Sequence, residues 1–271
     1  MIYADFPKYE ETARTVARLR IKDASIDMGQ PLAEDFYATQ SGPYLLVRTP
    51  KKKGTAWYDV TLEVQDVRTG AAVWSRRLPG MLPRFYANTV AGTLSLLWPA
   101  DSDAAKQATH TSAALRSRFD GIRKKEEAYY LEVLEFRSGR QLGQLLIDTK
   151  DTFHLHGAVT TRDFVAVTDN QNRVLVYRLQ SGEQIGKVFG GPAQLSPAGL
   201  LSVASEGGEV TLYDAATMQK RCEYVFPFHP AFLQFSKDGK RLLALLKNQT
   251  VYVLDVNVGS SAAVPALNSS R

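Results

Sequence analysis

An internal repeat constrains this chain more than any other feature. An alternating apolar run, a short polar turn that usually carries Gly, and a second short run recur along the sequence. Leu62–Gly70 reads LEVQDVRTG, Leu131–Gly139 reads LEVLEFRSG, and Leu175–Gly182 reads LVYRLQSG. Val210–Met218, VTLYDAATM, puts Met where Gly stood, and Val251–Gly259, VYVLDVNVG, keeps its turn Gly but has a degenerate tail. The aligned turn positions are separated by 69, 43, 36 and 41 residues. Three of these intervals fall near the roughly 40–45 residues of a propeller blade, and the long one reads as one period carrying about 27 further residues.

A second register agrees with the first. Ser196–Gly199 (SPAG) and Ser236–Gly239 (SKDG) lie 40 residues apart. Pro or a polar residue sets the first corner of such a turn, and Gly tolerates the positive φ of the second. The runs that follow, Leu200–Ala204 and Arg241–Leu246, read as strands buried between two sheet faces. Each unit therefore predicts one four-stranded antiparallel sheet. The expected fold class is all-β, with about five recognisable four-stranded blades that are either incomplete or part of a longer chain.

SPAG and SKDG before an inner strand, followed by VTLYDAATMQK and VYVLDV, resemble the S-P-D-G and V-x-V-W/Y-D patterns of bacterial WD40-like propellers. The resemblance covers residues 150–257 well and 43–150 loosely. No copy has the Gly-His pair or the closing Trp-Asp dipeptide, and Tyr213-Asp214 and Leu254-Asp255 are the nearest substitutes. The resemblance thus implies a degenerate propeller held by packing alone, without the His–Asp network of WD40 blades. Gln65–Trp74, QDVRTGAAVW, is similar to the A-x-D-x-x-T-G-x-x-x-W docking motif of quinoprotein-like (PQQ-type) propellers. In that family the Trp packs between adjacent blades. The positions matching Trp74 after Gly139 and Gly182 are Gly143 and Gly186, so one blade alone carries the motif.

Outside the repeat, residues 1–42 form an N-terminal segment. Pro7–Leu19 reads as a short helix with Pro at its start, and Arg20–Met28 reads equally as a strand. The first blade is placed from Tyr44, and the propeller domain spans 43–257. The fifth unit lacks a final strand after Val256, which either residues 11–28 complete or strands upstream of this chain supply. The insertion covers about residues 100–127. Within it Ser112–Glu127 predicts a helix with Ser112 as N-cap and an apolar stripe of Leu115, Phe119 and Ile122. Such a helix either packs on the propeller's flank or projects as a docking element for a partner. Residues 258–271 read as a disordered tail.

Composition excludes several classes. With 44% hydrophobic and 23% charged residues the chain is neither disordered nor fibrous, and the lone Cys222 cannot form an internal disulfide. No run approaches the length of a membrane helix, and the opening MIYADFPKYEE has no basic segment followed by an apolar core. The net charge of +5 permits an acidic partner without requiring one.

Catalytic motifs are absent: there is no G-x-S-x-G, H-E-x-x-H, P-loop or G-x-G-x-x-G. His154 and His156 fall on one face of a predicted strand, but no third ligand stands at fixed spacing, so a solvated or hydrogen-bonded pair is expected. Cys222 is read as a small buried hydrophobe, although neighbouring cations could activate it. Asp169–Asn172 and Asn248–Thr250 are read as hairpin turns. Two basic clusters, Lys51, Lys52, Lys53 and Arg123, Lys124, Lys125, are the candidate partner contacts. They would form a phosphate-binding patch if adjacent, but without interleaved aromatics nucleic acid is not expected. The expected function is a non-catalytic interaction module that binds protein or peptide partners through its loop rim, with no cofactor or metal. The alternative is a quinoprotein-like propeller that binds a cofactor or serves as an enzyme subunit.

Overall fold

The computed structural model describes residues 14–20, 25–32, 37–50, 58–149 and 154–256. Strands β1 (Arg14–Arg20) and β2 (Ser25–Leu32) pair with each other as an antiparallel hairpin. Five sheets follow in chain order, each an antiparallel meander. Sheet 1 holds β3 (Tyr37–Ser41), β4 (Tyr44–Pro50), β5 (Tyr58–Asp66) and β6 (Ala72–Met81). Sheet 2 holds β7 (Arg84–Asn88), β8 (Thr93–Pro99), β9 (Ala128–Glu135) and β10 (Gln141–Asp148). Sheet 3 holds β11 (Leu155–Thr160), β12 (Phe164–Asp169), β13 (Arg173–Arg178) and β14 (Gln184–Phe189). Sheet 4 holds β15 (Ala193–Leu195), β16 (Leu200–Ala204), β17 (Glu209–Asp214) and β18 (Lys220–Val225). Sheet 5 has three strands, β19 (Pro230–Phe235), β20 (Arg241–Leu246) and β21 (Val251–Asp255).

The first strand of each sheet lies beside the first strand of the next, from β3 through β7, β11 and β15 to β19. Side chains at the inner strands tie the sheets together. Asn88 Nδ2 donates to Thr160 O in sheet 3 at 2.9 Å and to Leu195 O in sheet 4 at 3.2 Å. Gln234 Nε2 of sheet 5 donates to Thr89 Oγ1 of sheet 2 at 3.4 Å. Four-stranded meanders arranged in this way are the blades of a β-propeller.

Both sequence registers appear as repeated hydrogen bonds. The turn between the third and fourth strands closes from Gly70 N to Asp66 O, Gly139 N to Glu135 O, Gly182 N to Arg178 O and Met218 N to Asp214 O, all at 2.7–2.9 Å. The closing residue has φ of 72°, 67°, 62° and 58° in turn, so Met218 adopts the left-handed conformation its Gly counterparts take without strain. In the second register the Ser196 and Ser236 hydroxyls accept from Leu200 N and Arg241 N at 3.0 and 2.9 Å.

Sheets between two neighbours bury both faces. In sheet 3, Val165, Val167 and Leu175 pack toward sheet 2, while Ala166, Val174 and Val176 pack toward sheet 4. Sheet 5 buries Leu233, Leu242 and Ala244 against sheet 4 but leaves Val251 and Val253 exposed at 53% and 61%. The repeat aligns Val253 with the buried Val176 and Leu212, which predicts an inward-facing side chain. That expectation fails because no further blade covers the outer face of sheet 5 among the described residues.

The docking motif has a structural counterpart at the first three of the four seams. Trp74 on β6 lies over the turn of sheet 2, with its Nε1 donating to Phe136 O at 2.9 Å. A Cβ at Gly139 would come within 2.7 Å of the indole. At the next two seams the geometry is reversed: Gly143 and Gly186 leave room for Leu179 and Met218 of the following blade, 2.6 and 2.8 Å from where a Cβ would sit. Gly143→Ala should therefore destabilise the chain by roughly 1–3 kcal/mol through overpacking. Chemical denaturation of Gly143→Ala, Leu179→Ala and the double variant checks this, because shortening Leu179 should absorb most of the alanine's cost.

Three expectations for the N-terminal segment are corrected. Residues 14–20 are strand β1, not the end of a helix over 7–19, because pairing with β2 overrides a weak local propensity. The described part of residues 11–28 is engaged in that hairpin and adds no strand to β21. Sheet 1 takes its first strand from Tyr37–Ser41, upstream of the expected boundary. Residues 1–13 and the tail 258–271 lie outside the described residues.

The insertion between β8 and β9 is two helices, α1 (Asp103–Thr111) and α2 (Ala113–Gly121). Ser112 caps α2 as expected, its hydroxyl accepting from Leu115 N at 3.3 Å. The helix stops at Gly121, a residue poor in helix propensity, rather than running to Glu127, and a single 3₁₀ turn follows at Lys125–Glu127. Leu115 and Ile122 are buried in the core shared by sheets 1 and 2, with Phe119 packed against it. The insertion is thus part of the flank.

Candidate functional site

The turns between second and third strands, and the links between sheets, gather at one rim. Over sheets 3 to 5 this rim holds a cleft of about 650 Å³. Its walls are the β12–β13 turn, the Gly190–Gly191 link, the β16–β17 turn and His229 with Lys247. A smaller cavity of about 390 Å³ shares Asn172 and Gly191 with it and continues along β11 and β15, past His156 and Gln194.

Backbone contacts set the cleft's shape. Gly190 N donates to Asn172 O and Gly191 N to Ala204 O, both at 2.8 Å. Gly190 has φ of 136°, and a Cβ there would sit 2.2 Å from Ala204 O, so only glycine allows this approach. The fully buried Asp169 builds the adjoining turn. Its carboxylate accepts from Gln171 N and Arg173 N at 2.9 and 3.0 Å and pairs with Arg173 Nε at 2.6 Å. That places Asp169–Asn172 in the hairpin turn expected for it.

His229 is held between two sheets. Its Nδ1 lies 2.8 Å from Ser205 O, and its own carbonyl accepts from Lys247 N at 3.1 Å. A carbonyl can only accept, so Nδ1 carries the proton and Nε2 is the remaining acceptor. Around these polar groups stand two large exposed side chains, Phe189 at the end of β14 (66%) and Phe228 in the link before β19 (50%). The cleft thus offers an apolar anchor, Phe189, beside a histidine, an ammonium and the Glu206 carboxylate, a combination suited to gripping a peptide.

Lys51, Lys52 and Lys53 lie outside the described residues. Arg123 is exposed, Lys124 Nζ pairs with Glu127 at 2.8 Å, and Lys125 Nζ sits 4.1 Å from the Phe119 ring centroid. None of these three lines the rim cleft. His154 and His156 do not act as a pair. His154 precedes β11 and faces the Tyr129 hydroxyl at 3.5 Å, whereas His156 lines the smaller cavity. Burial pushes the Cys222 thiol up, outweighing Lys220 nearby, as expected for a small hydrophobe. No group of three His, Cys, Asp or Glu side chains among the described residues could hold a metal ion. No helix among them is long and apolar enough to cross a membrane. Phe189 was missed, because an apolar residue closing a strand reads as core until the sheet's end is located.

No family model matches the chain, and no curated protein matches it. Solved structures do. The chain is 12% identical to KlHsv2 with loop 6CD replaced by a Gly-Ser linker, with a TM-score of 0.50 over 81% of this chain and 61% of that one. It thus spans about three fifths of that structure's length. For Hsv2 of Kluyvelomyces marxianus the identity is 9% and the TM-score 0.49, over 94% of this chain and 70% of that one. For BBS1N in complex with ARL6DN the values are 15% and 0.46, over 82% and 58%. The likeness to the first of these agrees with the β-propeller fold.

Proposed function

We propose that this chain is a non-catalytic interaction module, a degenerate WD40-like propeller whose rim over sheets 3 to 5 grips an extended peptide segment of a protein partner. The observation that carries this reading is the exposed Phe189 lining a cleft walled by glycine links and turn backbone, with the exposed Phe228 in the link that leads into the cleft residue His229. Exposed aromatic side chains beside a pocket with a few oriented polar groups are the usual anchors of such interfaces. The WD40-like assignment rests on the two turn registers.

A peptide display library panned on the wild-type chain should enrich sequences with an apolar residue near a hydrogen-bond donor. The Phe189→Ser/Phe228→Ser variant should fold normally and lose that enrichment by at least about tenfold, each anchor being worth about 1–2 kcal/mol or more. Equal enrichment by both proteins would remove the rim from consideration.

A second reading, a quinoprotein-like propeller, is favoured by Trp74, which packs on the Gly139 turn of the next blade as that family's motif implies. Stoichiometric uptake of pyrroloquinoline quinone by the purified chain would decide for it.

A further inference from the structure

The seam between sheets 1 and 2 differs from the other three. Apolar clusters fill all four, but here alone among the described residues a mid-strand carboxylate is buried with them. Here Glu132, 3% exposed in the middle of β9, faces Arg76 of β6 at 2.9 Å. Beside it the Tyr130 hydroxyl donates to Gln144 Oε1 at 2.8 Å, and Tyr130 stacks on Trp98 with centroids 5.6 Å apart. Arg76 is 41% exposed, so the pair is buried on the carboxylate side alone, and sinking a carboxylate costs more than an apolar side chain of the same size would. The seam is also hollow. A cavity of about 480 Å³ opens between β6 and β10, and α1 forms one of its walls through Gln107 and Thr111. The insertion that breaks the blade period thus helps to wall the cavity that the buried Glu132 lines.

We propose that this seam binds a small zwitterion of the amino-acid type. The cavity's volume is in the range of small-molecule sites. Its charged walls balance, with Arg76 and Arg77 against Asp103 and Glu132. An excess of neither sign makes it a poor site for phosphates or polyamines. A zwitterion carries an ammonium and a carboxylate within one residue's span, matching Glu132 and the guanidinium 2.9 Å away from it. Gln141 and Gln144 offer donors and acceptors for the rest of the molecule.

The test is a thermal-shift and calorimetric screen of the full chain against free amino acids and, separately, neutral monosaccharides at millimolar concentration. At least one amino acid should bind and raise the melting temperature, and no sugar should. Arg77→Ala, at an exposed position, should weaken that binding about tenfold or more, the loss of one charge-assisted hydrogen bond. Glu132→Gln should abolish it. Because Glu132→Gln also disturbs a buried pair, Gln141→Ala at the exposed start of β10 serves as a further variant that leaves the seam's core intact. Failure of every amino acid to bind, binding of a sugar instead, or amino-acid affinity indifferent to Arg77→Ala and Glu132→Gln would each overturn the proposal.

Discussion

Leu212→Ala is expected to lower the unfolding free energy by about 3 kcal/mol, a fall of roughly 6–12 °C in melting temperature for a domain of this size. Leu212 sits in the middle of β17, has no exposed surface, and packs in the cluster that joins sheets 4 and 5 with Leu233, Leu242 and Phe226. Two sheets meet there face to face, so neither can collapse into the space a methyl branch leaves without moving the other. Val253→Ala, at the aligned position one blade later, should change stability by less than about 0.5 kcal/mol. Its side chain is 61% exposed on the uncovered face of sheet 5. Urea denaturation of the two variants beside the wild type measures the contrast. Equal losses would mean that the outer face of sheet 5 is covered in solution.

That contrast also shows what the sequence could and could not convey. The two turn registers located strands β9, β13, β16 and β20 because each is bracketed by residues whose chemistry dictates a corner: Gly139, Gly182, Gly199 and Gly239 at positive φ, and Ser196 and Ser236 capping the next strand. Strand existence is local, and so it was legible. Which neighbour covers a strand is not local. Val176 and Val253 occupy the same place in the repeat, yet one lies between two sheets and the other faces solvent. The Trp74 motif was legible at one seam, whereas its reversal at Gly143 and Gly186 required the partner side chains, Leu179 and Met218, to be seen across the gap. Helix α1 escaped notice because Asp103–Thr111 is a polar, alanine-rich stretch whose contacts with the sheets come from Ala105 and Ala108, residues too small to make an apolar stripe. The rim cleft was illegible for a similar reason. Its walls come from three sheets, and glycines and turn backbone supply much of its shape.

Replacing Ser112–Glu127 by a short Gly-Ser linker should have the larger effect of the two. The helix expected there could have been a projecting arm, removable without harm to the fold. Its surroundings argue otherwise. Leu115 and Ile122 are 5% and 7% exposed and belong to the same cluster as Leu94, Leu96 and Trp98. Burial of two such side chains contributes roughly 3–6 kcal/mol, before any cost of wetting the apolar surface they cover. Arg118 donates to the carbonyls of Ser181 and Gly182 in the turn of sheet 3, through Nη2 at 2.5 Å and Nη1 at 2.8 Å. Arg116 donates from Nε and Nη2 to Thr109 O and His110 O, satisfying carbonyls at the end of α1. The insertion is therefore a strap that runs from the seam of sheets 1 and 2 to the edge of sheet 3, and its loss should loosen all three. Since the expected loss rivals the 5–15 kcal/mol stability of a typical domain, the shortened chain should bind a hydrophobic dye and lose its cooperative thermal transition. A shortened chain that still melts cooperatively within about 5 °C of the wild type, a shift worth only about 1–2 kcal/mol, would return the insertion to the role of a removable arm.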